Sequence, residues 1–312
     1  MGGILGYWQR RVFEGRLRNA FGGGVFMFVH YKRWCLTFVF LFLLPVSSFA
    51  TTDWQEVAAE RLFEATLSDT PLPSLSTEGK LRTADNAYQI QALFFEKLMK
   101  QNDDSIIGFK AGLTAEPQMK RFGATTPAGA PLLKSGLIEA GDPLKAAPLK
   151  LFKGMMLETE LAFKTAQTIT EPVKDVKALK KLVASVHPAI EVPLLFFADM
   201  KKVDFFEIVA SGIGSKNFLI GKPHSLAEIN PDAVKITLTH NGNLVNEGKG
   251  PDALGGQWEA LLWLVNMMVK QGHRIEAGQY LLTGALGKMI PAQPGKYEAD
   301  FAFDTLSFEI KE

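Results

Sequence analysis

The chain has 312 residues, 47% of them hydrophobic and 21% charged, ordinary globular usage that excludes a disordered, collagen-like or disulfide-framework protein. Its net charge of +1 is uneven: residues 1–50 hold six basic residues and one acid, leaving 28 Lys+Arg against 32 Asp+Glu, a net of −4, in residues 51–312. A body of that charge has no electrostatic footprint for nucleic acid, and a single cysteine, Cys35, excludes an internal disulfide and a Cys-based metal site.

The run Leu36–Val46 is continuously apolar but too short to span a bilayer as a helix. Lys32 and Arg33 precede it, and Ser48-Phe49-Ala50 follows with small residues at the −3 and −1 positions. This is the pattern of a secretory signal cleaved after Ala50; an uncleaved anchor or a buried strand is the alternative. A leader starting at Met27 has ordinary proportions, whereas one starting at Met1 is overlong, so Met27 is the expected start. Cys35 lies before the apolar run, which is the wrong place for a lipidated cysteine. The expectation is an exported, periplasmic protein whose mature form, residues 51–312, is one domain free of the membrane.

Two helices are predicted first, over Asp53–Thr66 and Ala84–Gln101, from apolar residues at helical spacing, with a Pro/Ser loop between them. They make residues 53–101 a helical N-terminal part. Short strand-like runs broken by Gly and Pro follow at Ser105–Leu113, Met155–Lys164, Ala189–Phe197, Phe218–Ile220, Val234–His240 and Gln279–Thr283, with a final pair near Tyr297–Phe303 and Leu306–Ile310. His240-Asn241-Gly242-Asn243 carries the Asn-Gly hairpin signal. A long apolar helix over Asp252–Gln271 is interrupted by Glu259, Asn266 and Lys270, which fits a buried helix rather than a membrane span. Helices first, many short strands and one packed helix give an α+β class with a strand-rich core. There is no βαβ series and no phosphate-cradling glycine loop.

In Leu157-Glu158-Thr159-Glu160-Leu161 the alternation of a strand puts Glu158 and Glu160 on one face. Two neighbouring carboxylates repel. Either each is solvated on an exposed face, or they share a hard divalent cation, for which oxygen ligands favour Mg²⁺ or Mn²⁺. Glu191 is the sole charge in its own apolar run. Lys110, inside the Gly-flanked apolar run Ile106–Leu113, is either snorkelling at an edge or held near an anion. His187 reads as a structural histidine, and His224, His240 and His273 as turn or surface positions. No Ser-His-Asp set assembles by spacing, and Ser211 is not in a nucleophile-elbow sequence.

Taken in order, several stretches resemble the 2-keto-4-pentenoate hydratase / 4-oxalocrotonate decarboxylase branch of the fumarylacetoacetate hydrolase superfamily. They are Ala87–Gln91, Gly108-Phe109-Lys110-Ala111-Gly112-Leu113-Thr114, Gln118-Met119 with Phe122-Gly123, Leu157–Phe163, Pro188–Glu191, Asn241-Gly242 with Gly248, Leu282–Gly287, and Pro291 with Pro294-Gly295. The resemblance covers nearly all of residues 53–311. It implies a mixed β-roll or barrel-like core with peripheral helices. It implies Mg²⁺ or Mn²⁺ held by Glu158, Glu160 and Glu191, and a catalytic or substrate-binding Lys110. It implies a substrate pocket that includes Leu113, Thr283 and Gly284. The implied ligand is a small 2-oxo or dicarbonyl acid, and the implied activity is a metal-dependent lyase of aromatic catabolism, a hydratase or a decarboxylase of a vinylogous 2-oxo acid. A homo-oligomer is expected.

The chain departs from the family where hydratases usually carry Pro-Asp: here it reads Pro127-Ala128. An Asp-Ser-Arg stretch after the third glutamate is replaced by Pro193-Leu194-Leu195-Phe196, and a polar stretch by Ser211-Gly212-Ile213-Gly214-Ser215. Two further readings therefore stand beside the lyase: an exported, non-catalytic binding protein for an acidic metabolite, and a C–C hydrolase of the acylpyruvate type.

Overall fold

A computed structural model describes residues 53–75, 83–139 and 149–312; the expected signal segment lies outside the described residues. The chain opens with α1 (Asp53–Leu67) and α2 (Ala84–Asn102), then β1 (Ile106–Gly112), α3 (Glu116–Phe122), β2 (Ala128–Leu133), β3 (Leu137–Glu139) and β4 (Leu149–Lys150). Next come β5 (Met156–Thr165), α4 (Val176–Leu179), β6 (Val183–Val192), α5 (Phe205–Ala210) and β7 (Asn217–Ile220). The remainder is β8 (Lys235–His240), β9 (Asn243–Lys249), α6 (Gln257–Lys270), β10 (Tyr280–Leu282), β11 (Ile290–Pro291), β12 (Gly295–Asp300) and β13 (Thr305–Lys311). One mixed sheet has the order β2-β1-β10-β5-β6-β7-β3, with β11 paired on β5, and a second has the order β4-β13-β12-β8-β9. The larger sheet curls into a half-barrel, so the α+β, barrel-like expectation holds.

The apolar patterns explain the layers. Leu157, Leu161 and Phe163 of β5 and Ile190 of β6 point into a core shared with Ile236 and Leu238 of β8, Tyr297 of β12, Phe308 of β13 and the buried face of α6. That core lies between the two sheets, and α6 is packed into it rather than into lipid. Among the described residues no helix is long and apolar enough to cross a membrane. A second cluster joins α1, α2 and α5 to β2 and to the end of β1. Thr83 caps α2 by accepting from the Asn86 N–H, and Asp204 caps α5 by accepting from the Glu207 N–H. Gln91 of α2 donates to the carbonyls of Gly129 on β2 and Val209 on α5, at 3.2 and 2.7 Å, and the Tyr88 hydroxyl accepts from the Gly129 N–H. The Ala87–Gln91 stretch therefore ties helices to the sheet.

Two expectations are corrected. The strand placed at Ala189–Phe197 runs instead over Val183–Val192. Pro188 lacks a donor and would ordinarily start a strand; here it sits mid-strand opposite Leu161, its carbonyl accepting from the Gly221 N–H at 2.8 Å. Pro193 ends the ladder, and Leu194 and Leu195 turn to bond Gly214 and Gly154. The long helix starts at Gln257, because Gly250–Asp252 form a separate 3₁₀ turn and Gly256 precedes the helix. The Asn-Gly turn joins β8 to β9 as expected, with Asn241 and Gly242 at φ 49° and 81°.

Candidate metal centre and its cleft

Strands β5 and β6 create the centre by register. Glu158 lies directly across from Glu191, and Glu160 across from Ala189, so all three glutamates occupy one face. One carboxylate oxygen from each lies within 4.8 Å of the other two. Glu160 and Glu191 are fully buried, and Glu158 is partly exposed to the adjoining cleft.

Lys110 is brought in by β1, and only 1% of its surface is exposed. Its ammonium pairs with Glu191 Oε1 and donates to the Ile213 carbonyl at 3.0 Å. Ile213 has φ 54°, a left-handed conformation that is strained for a β-branched residue and that turns this carbonyl toward the lysine. The snorkelling alternative for Lys110 is thereby excluded.

Three carboxyls beside one ammonium are short of positive charge. Burial, reinforced by the Glu191 charge, pushes the Glu158 carboxyl up to about 8, with Lys110 opposing the shift. Burial and the two neighbouring carboxylates raise Glu160 well above the usual carboxylate range. Glu160 Oε1 and Glu191 Oε2 are buried with no hydrogen-bond partner among the described residues. Buried carboxylate oxygens without partners are costly. An all-oxygen set with unused lone pairs fits a hard divalent cation such as Mg²⁺ or Mn²⁺.

The loop after β10 holds the centre from above. The Gly284 N–H donates to Glu160 Oε2 at 2.8 Å, and Gly284 has φ 102°, where a Cβ would run into the Thr114 hydroxyl. Thr159 donates to the Leu286 carbonyl at 2.7 Å, and Asn246 accepts from the Lys288 N–H at 2.9 Å, fixing the rest of that loop. Thr283, expected in the pocket, is fully buried on the other side: it donates to Gln257 Oε1 at 2.6 Å and sits 3.2 Å from the Leu161 carbonyl. Its side chain anchors the loop to α6 and does not reach the cleft.

A narrow cleft, partly open to solvent, lies beside the centre. Lys110, Leu113 and Glu158 line it, as does Gln118 of α3. Leu113 has φ 56°, so the chain turns at the cleft wall as β1 ends. Sequence reasoning missed Phe122, Leu195, Ile208, Ile213 and Met289 on its walls. Only the glycines flanking Ile213 signalled an unusual backbone there. Ala128 is fully buried in the helix-side cluster and offers no acid. His187 is structural, within 2.9 Å of Ser185 Oγ and 3.0 Å of the Gly221 carbonyl. His273, expected at a turn or the surface, follows the turn that ends α6 and is half-buried against Phe109, and burial lowers its pKa.

No protein-family model matches the chain. A 2-keto-4-pentenoate hydratase of Burkholderia vietnamiensis is 32% identical over 243 residues, 77% of this chain and 91% of that protein. A 2-keto-4-pentenoate hydratase of Paraburkholderia phymatum is 31% identical over 246 residues, covering 78% and 92%. A 4-oxalocrotonate decarboxylase of a Pseudomonas species is 24% identical over 246 residues, covering 78% and 91%. The solved 4-oxalocrotonate decarboxylase from Pseudomonas putida G7, complexed with magnesium and adipate, superposes with a TM-score of 0.76 at 22% identity, covering 84% of this chain and 98% of that one.

Proposed function

The chain belongs to the hydratase–decarboxylase branch of the fumarylacetoacetate hydrolase superfamily, a family of lyases, and we propose that it is a divalent-metal-dependent, hydratase-like enzyme acting on a 2-oxo acid or its 2-hydroxy-dienoate form. The observation that carries this reading is the convergence of Glu158, Glu160 and Glu191, with buried oxygens lacking partners, beside Lys110 and an apolar cleft. The two relatives above 30% identity described above are named hydratases, and that supports hydration over other chemistry.

Glu158, Glu160 and Glu191 would hold Mg²⁺ or Mn²⁺, which supplies Lewis-acid polarisation of a chelating 2-oxo carboxylate. Gly284 fixes the orientation of Glu160. Lys110 Nζ stands at the cleft wall, where it balances the substrate's negative charge and holds the proton delivered to carbon on ketonisation. Among the described residues Glu158 and Gln118 are the other polar side chains on the cleft, and either can hydrogen-bond a water molecule entering it. The apolar walls exclude bulk water and strengthen each charge interaction inside.

The test is turnover of a 2-hydroxy-2,4-dienoate with Mn²⁺ present, in the parent and in Lys110→Met. That change keeps the stem and removes the charge. A charge-assisted hydrogen bond is worth roughly 1.5–3 kcal/mol, about 10- to 150-fold, so the rate should fall at least that far. Unchanged turnover in Lys110→Met would remove the lysine from the mechanism, and absence of turnover in the parent would remove the enzyme reading. Ala128 in place of an acid favours the second reading, a non-catalytic binder of the same ligand class. Metal-dependent ligand binding without turnover identifies it.

The proposal includes export through the Leu36–Val46 signal, with Thr51 as the mature N-terminus. N-terminal sequencing of the periplasmic fraction checks this; an unprocessed chain in the cytoplasm overturns it.

A further inference from the structure

We propose that a second cavity, separate from the metal cleft, binds a small monocarboxylate with an apolar tail. It lies where the ends of α1 and α2 meet the start of β7 and the turn before β3, and it is partly open to solvent. Its volume of about 310 Å³ gives room for about ten water-sized groups or more.

One layer of backbone divides this cavity from the metal cleft. Pro193 and Leu195 line the cleft, whereas Leu194 between them lines the cavity, the alternation of an extended segment. Ile213 lines the cleft, and Ser211, Gly214 and Ser215 line the cavity. The Leu194 N–H donates to the Gly214 carbonyl at 2.8 Å, which joins the two segments into one partition. The two spaces share no lining residue. An occupant of the cavity nevertheless rests on the backbone whose Ile213 carbonyl holds Lys110.

The lining sets the ligand's chemistry. Pairing of β3 with β7 at Leu137 and Phe218 puts Ser135 and Gly136 beside Lys216 and Asn217, and these form a polar end. Asn217 Nδ2 donates to the Gly136 carbonyl at 3.4 Å. Lys216 is exposed and makes no ion pair among the described residues. No carboxylate lines the cavity among the described residues. Asp104 lies behind Ser135, where its carboxylate accepts from the Ser105 and Ser135 N–H groups at 2.7 and 3.2 Å. The other end is hydrocarbon: Leu72 and Phe94 are buried, Leu98 is half-buried, and Leu67 stands 47% exposed. An ammonium without a counter-charge gains by meeting an anion, and an uncovered leucine beside a buried apolar floor gains by being covered. One cation and no acid favour a monoanion over a dianion or a cation.

The experiment is calorimetric titration of the chelator-treated protein with octanoate, 1-octanol and acetate. Without a metal, the three glutamates repel a carboxylate from the cleft, so octanoate taken up by this protein binds elsewhere. Octanoate is expected to bind up to about fivefold tighter than octanol, the value of one exposed ion pair, and acetate not measurably. Lys216→Glu exchanges attraction for repulsion at an exposed position, so octanoate should weaken about tenfold while octanol holds. Leu67→Asp, also at an exposed position, strips the tail of a contact, so octanoate and octanol should both weaken, by about fivefold. Octanoate and octanol binding alike, with neither moved by Lys216→Glu, overturns the assignment of an anion. Absence of octanoate binding, or octanoate binding that neither variant changes, overturns the site. None of these outcomes depends on what the metal cleft binds.

Discussion

At the scale of single residues, the centre depends on a charge imbalance. Lys110 meets three carboxyls, and two buried carboxylate oxygens have no partner. A divalent cation corrects both. Changing Glu160 to Gln keeps the shape and the fold contacts but removes a charged ligand. Metal affinity should fall by at least the tenfold to hundredfold seen for groups one step further out. In the metal-free protein the same change removes one of the repelling carboxyls, so the melting temperature should hold or rise. Titration with Mn²⁺ and a melting curve test both halves. A variant that binds Mn²⁺ as tightly as the parent places the site elsewhere. Changing Glu191 to Gln should differ, because Glu191 also pairs with Lys110. Breaking one partner of a buried pair costs about 3–5 kcal/mol, so here the metal-free melting temperature should fall.

At the scale of elements, the loop after β10 is the part that cannot be rebuilt. Gly284 occupies φ 102°, donates to Glu160 and leaves no room for a Cβ against Thr114. A Gly284→Ala change should cost about 1–3 kcal/mol of backbone strain and displace the Glu160 carboxylate, lowering stability and metal affinity together. Loss of stability with unchanged metal affinity would show that the loop does not orient the ligand. Much of this element was legible in the sequence. Glu158, Glu160 and Glu191 stood out because each is a charge in an otherwise apolar strand, and alternation alone put two of them on one face. Their pairing across β5 and β6 was not legible, since register is set by partners far apart in the chain. Pro188 hid the first half of β6, because a proline inside a central strand is tolerated only by that particular register. Thr283 looked like a pocket residue beside Gly284, but adjacent residues on an extended segment point to opposite sides. The cleft walls were least legible. Phe122, Ile208 and Met289 are ordinary apolar residues, and only the packing of α3 and α5 against the end of β1 makes them a site.

At the scale of the whole molecule, the metal centre and the stability of the fold are one linked system. In the folded metal-free protein Glu158 titrates near 8, against 4.5 for a free glutamate, and Glu160 is raised as well. The folded state therefore binds more protons than the unfolded one between those limits. Stability falls as pH rises wherever the folded state holds the extra protons. The chelator-treated protein should be most stable near pH 5 and lose melting temperature steadily toward pH 8. Metal binding needs these carboxyls ionised, so at pH 7 uptake should release protons, and affinity should climb with pH over the same window. With Mn²⁺ present the fall in melting temperature between pH 5 and 8 should flatten or reverse. Calorimetry at pH 7 in two buffers of different ionisation heat measures the protons released, and melting curves with and without Mn²⁺ measure the linkage. Proton-neutral uptake, together with parallel melting curves, would mean that the three glutamates are ionised without the metal and that the centre is not the strained carboxylate cluster described above.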